Sequence, residues 1–330
     1  QRTDLKWGDR IMLSRSKRSV EWILATLAVG VLCSTAALAK KPDKPPGGGG
    51  GDDGSPSYNI IRLDDIGGAA YDINESRLIV GTVNEGDGVA RAAYWTVTQT
   101  RRSVESTLQF LDDGGVTHTR AYGCNELGEI VGGSGTPLYW ANPESEALPL
   151  PLPEDSLLGS ARAISNDGVI CGRADGDTAI VWRVTEAGIW GPLVLERDPD
   201  AEYEIIAEAV SDQVGGVVTV VGDSNGSAKM WTVTLTDEGG LELNSEAILS
   251  SSGAAEGINN LGMVCGAMAP GTPVVWIGGI PLILAGEQPP RYLGYPYDIN
   301  DDGVVVGYTF LNSAVVWSSP EANMVRLDKY

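Results

Sequence analysis

The chain has 330 residues, with 44 acidic side chains against 23 basic ones and a single histidine, for a net charge of −21. So negative a surface repels phosphate backbones and anionic headgroups, which excludes nucleic acid and membrane surfaces as partners. One imidazole, His118, cannot build a multi-histidine metal cage or a catalytic triad that needs several, and it reads as a polar loop residue.

Residues 1–11 precede the first Met and read as translated upstream sequence. From Met12 a basic start (Arg15, Lys17, Arg18) leads into an apolar run from Trp22 to Cys33 and closes on Ala37-Leu38-Ala39. A run this short between those flanks is a secretory signal and not a membrane span, so residues 12–39 are expected to be removed and no membrane insertion to follow. Leu32 stands where a lipoprotein signal wants a small residue, which argues against lipid anchoring at Cys33. Cleavage there leaves 17 basic against 41 acidic residues and a net charge of −24. Residues 40–57, Lys-Pro-rich and then Gly-rich, cannot build a core and read as a flexible linker.

Residues 58–330 repeat one phrase six times. Its clearest copy is Tyr297-Asp298-Ile299-Asn300-Asp301-Asp302-Gly303-Val304-Val305-Val306-Gly307, followed by Ala314-Val315-Val316-Trp317. The repeated glycines are Gly81, Gly132, Gly172, Gly222, Gly266 and Gly307, and the repeated tryptophans Trp95, Trp140, Trp182, Trp231, Trp276 and Trp317. Alternation and turn punctuation divide each unit into four short strands, with an Asn-x-x-Gly turn joining the first two. Arg77 replaces that turn's Gly in the first unit, which predicts a looser turn, and extra residues around Gln213 to Val217 predict a longer hairpin in the fourth. Glycine inside a strand marks a packed neighbour or a bulge, and an indole seated over the missing side chain would fill the space between sheets. Cys124, Cys171 and Cys265 occupy aliphatic strand positions and read as buried free thiols.

Successive tryptophans lie 45, 42, 49, 45 and 41 residues apart. That spacing matches the roughly 40–45 residues of a four-stranded propeller blade. The expected fold is all-β, a six-bladed β-propeller of four-stranded antiparallel blades acting as a monomer. Stacked hairpins in a solenoid and a pair of β-sandwiches are weaker fits. Because Tyr58 to Asp64 resembles Met324 to Asp328, an incomplete seven-bladed ring is the alternative count, and six blades closed by strand pairing near the two ends is the preferred one.

The composite phrase Ala-x-Ile-Asn-x-x-Gly-x-Val-x-Gly with Ala-x-x-Trp resembles the bacterial HAF-type probable extracellular repeat proteins over nearly all of 58–328. The His-Ala-Phe triplet of that family is replaced here: Arg91, Thr136, Thr178, Ser227, Thr272 and Ser313 stand in for its His. The resemblance implies an exported repeat protein with no shared biochemical activity.

Candidate chemistry is sparse. Asp112, Asp113, Glu154, Asp155, Asp198 and Asp200, with Asp87, Asp175, Asp177 and Asp223 beside them, should share the face formed by the blade-to-blade loops. Paired carboxylates there would permit glycoside hydrolysis. Turns such as Asn166-Asp167-Gly168 and Asn300-Asp301-Asp302-Gly303 make Ca2+ the one cofactor to consider, and solvated turns are the simpler reading. Arg291, Tyr292 and Tyr295 form the richest Arg-Tyr loop, a candidate ligand-binding surface. The function expected is a secreted, non-catalytic binding or structural module whose partner is an extracellular protein or carbohydrate. The alternatives are a propeller hydrolase or lyase on extracellular carbohydrate and a calcium-dependent adhesion module.

Overall fold

The computed structural model describes residues 12–17, 19–24, 36–37, 58–61, 63, 67–85, 88–100, 104–269, 271–286, 294–309 and 313–327. The linker and the cleavage site expected from the sequence lie outside these residues. Six four-stranded antiparallel sheets, spanning 68–110, 121–149, 159–197, 205–250, 253–283 and 294–326, stand in a ring as a six-bladed β-propeller. Within each blade the strands pair in chain order.

The first strand of each blade is the innermost: Gly68–Ile73, Ala121–Cys124, Gly159–Ile164, Ile205–Val210, Gly253–Ile258 and Gly294–Ile299. Every one carries a β-bulge at the same place, where the register against the second strand slips by one residue. The slip sets the glycine requirement. A Cβ on Gly81, Gly132, Gly172, Gly222, Gly266 or Gly307 would lie 1.8–2.2 Å from an inner-strand carbonyl oxygen of the same blade, for example Ile206 O against Gly222. The glycines therefore make room for bulged backbone, one of the two readings a strand glycine allowed, and not for the indole that the sequence placed over them.

The tryptophans do wedge the blades apart. All six are fully buried, and each belongs to a core cluster shared with the preceding blade: Trp140 packs with Val80 and Leu111, Trp182 with Val131 and Leu150, Trp231 with Val181 and Leu195. Between described residues, Trp140 donates its indole N–H to Asp112 O at 2.8 Å, Trp182 to Pro151 O at 2.6 Å and Trp317 to Ala285 O at 2.8 Å, in each case to the chain leaving the preceding blade. The indole nitrogens of Trp231 and Trp276 are buried without a partner. Cys124, Cys171 and Cys265 are buried free thiols in these same walls.

Two turn expectations divide. The fourth hairpin is longer, with Val214 and Val217 closing a nested turn over Gly215 and Gly216. The first is not loosened: Arg77 takes φ +71°, close to the +72° to +82° of Gly128, Gly168, Gly262 and Gly303, and keeps the turn bond from its N–H to Asn74 O at 2.9 Å. Asn74 Oδ1 secures the turn by accepting from Leu78 N at 3.0 Å, so the asparagine sets the geometry and the residue at the fourth position conforms.

Ring closure also differs from expectation. Among the described strands none pairs blade six to blade one, and Tyr58–Ile61 pairs instead with Met12–Lys17. A buried cluster takes in Leu63 and Trp95 on one side and Val304, Val316 and Leu327 on the other, while Ser19–Leu24 lies against both Gly68–Ile73 and Val305–Thr309.

Gly222→Ala should destabilise the protein by more than about 3 kcal/mol, because backbone cannot step aside. Gly215→Ala, with φ +64° and open space around it, should cost only about 1–2 kcal/mol. Urea unfolding of the two variants checks the difference. In the same assay Trp182→Phe should lose about 1 kcal/mol more than Trp231→Phe, since only the first gives up a hydrogen bond.

Candidate functional site

A bulge leaves its extra residue unpaired and re-aims its side chain. On the innermost strands of a propeller the direction left open is the axis. The six extra residues are Tyr71, Tyr122, Arg162, Glu208, Glu256 and Tyr297, one per blade. Three consecutive blades thus contribute tyrosines and the three opposite contribute charges.

These side chains meet. Tyr71 and Tyr122 pack edge to face with ring centroids 4.9 Å apart, and the Arg162 guanidinium lies 4.6 Å over the Tyr122 ring. Arg162 Nε is 3.7 Å from Glu208 Oε2. Burial works against the Arg162 charge, but Glu208 first and then Tyr122, Tyr297 and Glu204 hold it firmly protonated. Glu256 has no such partner: among the described residues it makes no hydrogen bond or ion pair. Burial, reinforced by Glu208 and Asp223 and opposed by Arg162, pushes its carboxyl up to about 8. Burial, then Asp298 and Glu256, raises the Cys265 thiol, and burial, then Glu256 and Tyr295, raises Tyr308.

One residue further along the inner strands sit two more buried acids. Asp72 accepts from Ile73 N at 2.7 Å and, across the blade junction, from Cys124 N at 2.8 Å, yet burial still raises it. Asp298 rests against Gly257, where a Cβ would lie 2.9 Å from the Asp298 Cα, and burial followed by Asp72 pushes it up to about 7.

Above them the axis opens into a cavity of about 580 Å³ on the face built by the Asn-x-x-Gly turns, with Asp298 inside it, Ile73, Ile258 and Ile299 in its walls and Glu75, Glu126 and Asp301 among its rim. The rim is a relay in which each turn's backbone N–H donates to a side chain of the next blade. Glu75 donates to Glu126 at 3.0 Å, Glu126 to Asn166 at 2.9 Å, Asn166 to Asp212 at 2.7 Å, Asp212 to Asn260 at 2.8 Å and Asn260 to Asp301 at 2.8 Å. Beneath it Asn74, Asn125 and Asn259 reach the next turn's carbonyl, at 2.9–3.1 Å. Most rim carboxylates are therefore committed to holding blades together.

The acids singled out on the opposite, blade-to-blade loop face are mostly turn formers. Asp112 accepts from Ala147 N at 2.8 Å, Asp113 from Gly115 N at 2.9 Å, Asp175 from Leu158 N at 2.9 Å and Asp198 from Asp200 N at 3.0 Å. Asp177 accepts from the Thr178 hydroxyl, Glu154 and Asp155 are exposed, and Asp87 lies outside the described residues. Asp223 alone joins the axial group, pushed up to about 6 by burial, Glu208 and Glu204. Tyr295 is an inner-strand residue stacked on Tyr308 at 5.1 Å and not part of a loop, while Arg291 and Tyr292 lie outside the described residues. In the Asp-rich turns Asp167 accepts from Gln213 N and Asp301 from Asn260 N. His118 accepts from Ala90 N at 3.4 Å.

The bulged residues had a sequence signal that went unread. They sit three positions before the turn Asn or Ser, always large and polar, directly after Ala or Pro: Ala70-Tyr71, Ala161-Arg162, Ala255-Glu256, Pro296-Tyr297. The chain matches no protein-family model and no curated protein.

Glu256 and Asp298 keep their protons in the fold over a range, roughly pH 4 to 8, where the unfolded chain has released them. The folded state then binds more protons, so these groups make stability fall as pH rises through that window. The melting temperature should drop by roughly 5 °C or more between pH 5 and pH 8.5, and the Glu256→Gln/Asp298→Asn double variant should flatten the profile.

Proposed function

We propose that this protein is a secreted binding module whose carbohydrate ligand seats on the propeller axis. The observation that carries the reading is the convergence of Tyr71, Tyr122 and Tyr297 on one side of the axis and Arg162, Glu208 and Glu256 on the other. Aromatic rings offer an apolar face to the C–H face of a sugar, and ionised groups accept or donate to its hydroxyls with charge-assisted hydrogen bonds. Concave sites with a few convergent polar groups are the usual places for small ligands, and the turn-face cavity, lined by Ile73, Ile258 and Asp298, borders the same inner strands. Export follows from the leader-like segment 12–39 and from the resemblance to extracellular repeat proteins.

A second reading draws on one specific feature. Glu256, its carboxyl pushed up to about 8 by burial and Glu208, and Glu208 itself beside Arg162 are two carboxyls in different surroundings, and a glycosidase needs such a pair. Release of reducing ends from an oligosaccharide, abolished by Glu208→Gln and by Glu256→Gln, would establish hydrolysis and replace the binding reading.

Calorimetric titration with oligosaccharides tests the first reading. Tyr122→Ala should weaken binding at least tenfold, and Tyr122→Phe, which keeps the ring packed on Tyr71 and under Arg162, should leave the melting temperature nearly unchanged. Equal affinity of wild type and Tyr122→Ala would remove the ligand from the axis.

A further inference from the structure

We propose that the turn-face cavity is a peptide-binding site that seats a lysine side chain of a partner protein together with the backbone amide beside it. None of the axial tyrosines, Arg162 or Glu256 lines this cavity, and it can fill whether or not a sugar sits on the axis.

A repeated pattern breaks at its mouth. At five blade junctions the residue after the turn Asn or Ser donates its N–H to the side chain at the same position of the next turn, from Glu75 to Glu126 round to Asn260 and Asp301. The sixth bond would run from Asp301 to Glu75, and among the described residues it is not made. The turn amides break off at the same place. Asn74, Asn125 and Asn259 each reach the next turn's carbonyl through Nδ2. Asn300 is anchored as they are, its Oδ1 accepting from Val304 N at 2.9 Å as Asn259 Oδ1 does from Met263 N at 2.9 Å, yet its Nδ2 has no acceptor among the described residues. Two donors and a carboxylate are thus left open at one junction, and Glu75, Asn300 and Asp301 all line the cavity.

The five completed junctions define what a ligand must offer at the sixth. Asp301 N–H and Asn300 Nδ2 need an oxygen, and the Glu75 carboxylate needs a donor. A peptide group carries both, a C=O and an N–H held in one plane. Ile73, Ile258, Ile299 and Val304 give the cavity of about 580 Å³ apolar walls, and Asp298 lies among them with one oxygen engaged, by Ile299 N at 2.8 Å, and the other without a partner among the described residues. Lysine suits apolar walls that enclose a carboxylate, because its four-carbon stem lies along hydrocarbon while its ammonium meets the charge. The surroundings fit a protein. Leu127 and Leu261, both 69 % exposed at the tips of their turns, offer apolar contact on this face, and exposed Asp302 adds negative charge that favours a basic partner. A neutral sugar would satisfy the amide positions and leave Asp298 without a counter-charge.

The test is calorimetric titration of the full chain at about 150 mM salt, where non-specific attraction to the acidic surface is screened. The probes are the blocked pentapeptide acetyl-Gly-Gly-Lys-Gly-Gly-amide, the same peptide with norleucine for lysine, butylamine, and the trimer of N-acetylglucosamine. The lysine peptide should bind at least about tenfold more tightly than each of the others. Asp298→Asn should cut the preference for lysine over norleucine to below about threefold, and Glu75→Ala should weaken both peptides by about fivefold. Glu75 is exposed, so its variant serves if Asp298→Asn fails to fold. Glu154→Ala removes an exposed acid from the opposite face and should change nothing. Equal losses in all three variants would reduce the effect to net charge and overturn the site. So would equal binding of the lysine and norleucine peptides, or of the lysine peptide and butylamine. Tighter binding of the sugar trimer, weakened by Glu75→Ala, would give the cavity to carbohydrate and overturn the peptide. Binding of no probe overturns the proposal and leaves the axial reading to its own titration.

Discussion

A carbonyl oxygen folded over a glycine governs this molecule. In each blade the inner strand gains one residue, its backbone swings toward the second strand, and the only side chain that leaves space there is hydrogen. A carbonyl cannot yield as the end of a flexible side chain does. The same kink has two products. It closes the blade tightly at its inner edge, and it rotates one side chain per blade toward the axis. Structure and site thus arise from one backbone event repeated six times.

Outside the inner edge, cohesion comes from paired devices at each junction. The buried indole fills the gap and, in Trp140, Trp182 and Trp317, ties its N–H to the chain leaving the previous blade. At the turn face, backbone N–H groups donate around the rim across five junctions. The indole bonds satisfy donors that burial would otherwise leave costly. The rim bonds explain why so many acidic residues crowd the rim: an acceptor with two oxygens can take bonds from a neighbour's backbone and side chain together, as Asp212 does with Asn166. Among the described residues the junction of blades six and one shows no bond of the rim relay, and an apolar cluster bridges it as at the other junctions.

The axis runs against stability. Carboxyls are placed where burial raises them, and the guanidinium of Arg162 lies beside Glu208. A fold selected for stability alone would fill these positions with apolar side chains, as blade walls of Val, Ile and Ala do a few ångströms away. Departures of this sort mark sites where binding supplies the missing interaction.

Much of the architecture was legible in the linear chain, because strand alternation, the Asn-x-x-Gly turn and the Gly-to-Trp spacing are local properties that repeat. Blade number, the buried indoles and the free thiols followed from that period. What stands over each glycine did not, since the approach of a carbonyl rather than an indole is a relation between two strands. Arg77 shows the same limit: its turn is dictated by Asn74 and the hairpin around it, which overrule the preference of the residue itself. The axial site was hidden for a related reason. Tyr71, Tyr122, Arg162, Glu208, Glu256 and Tyr297 are about 40 to 50 residues apart in sequence, and only ring closure brings them face to face. Sequence by itself determined what each blade is; tertiary structure decided where the blades point, because convergence on an axis is a property of the closed ring and of no single repeat.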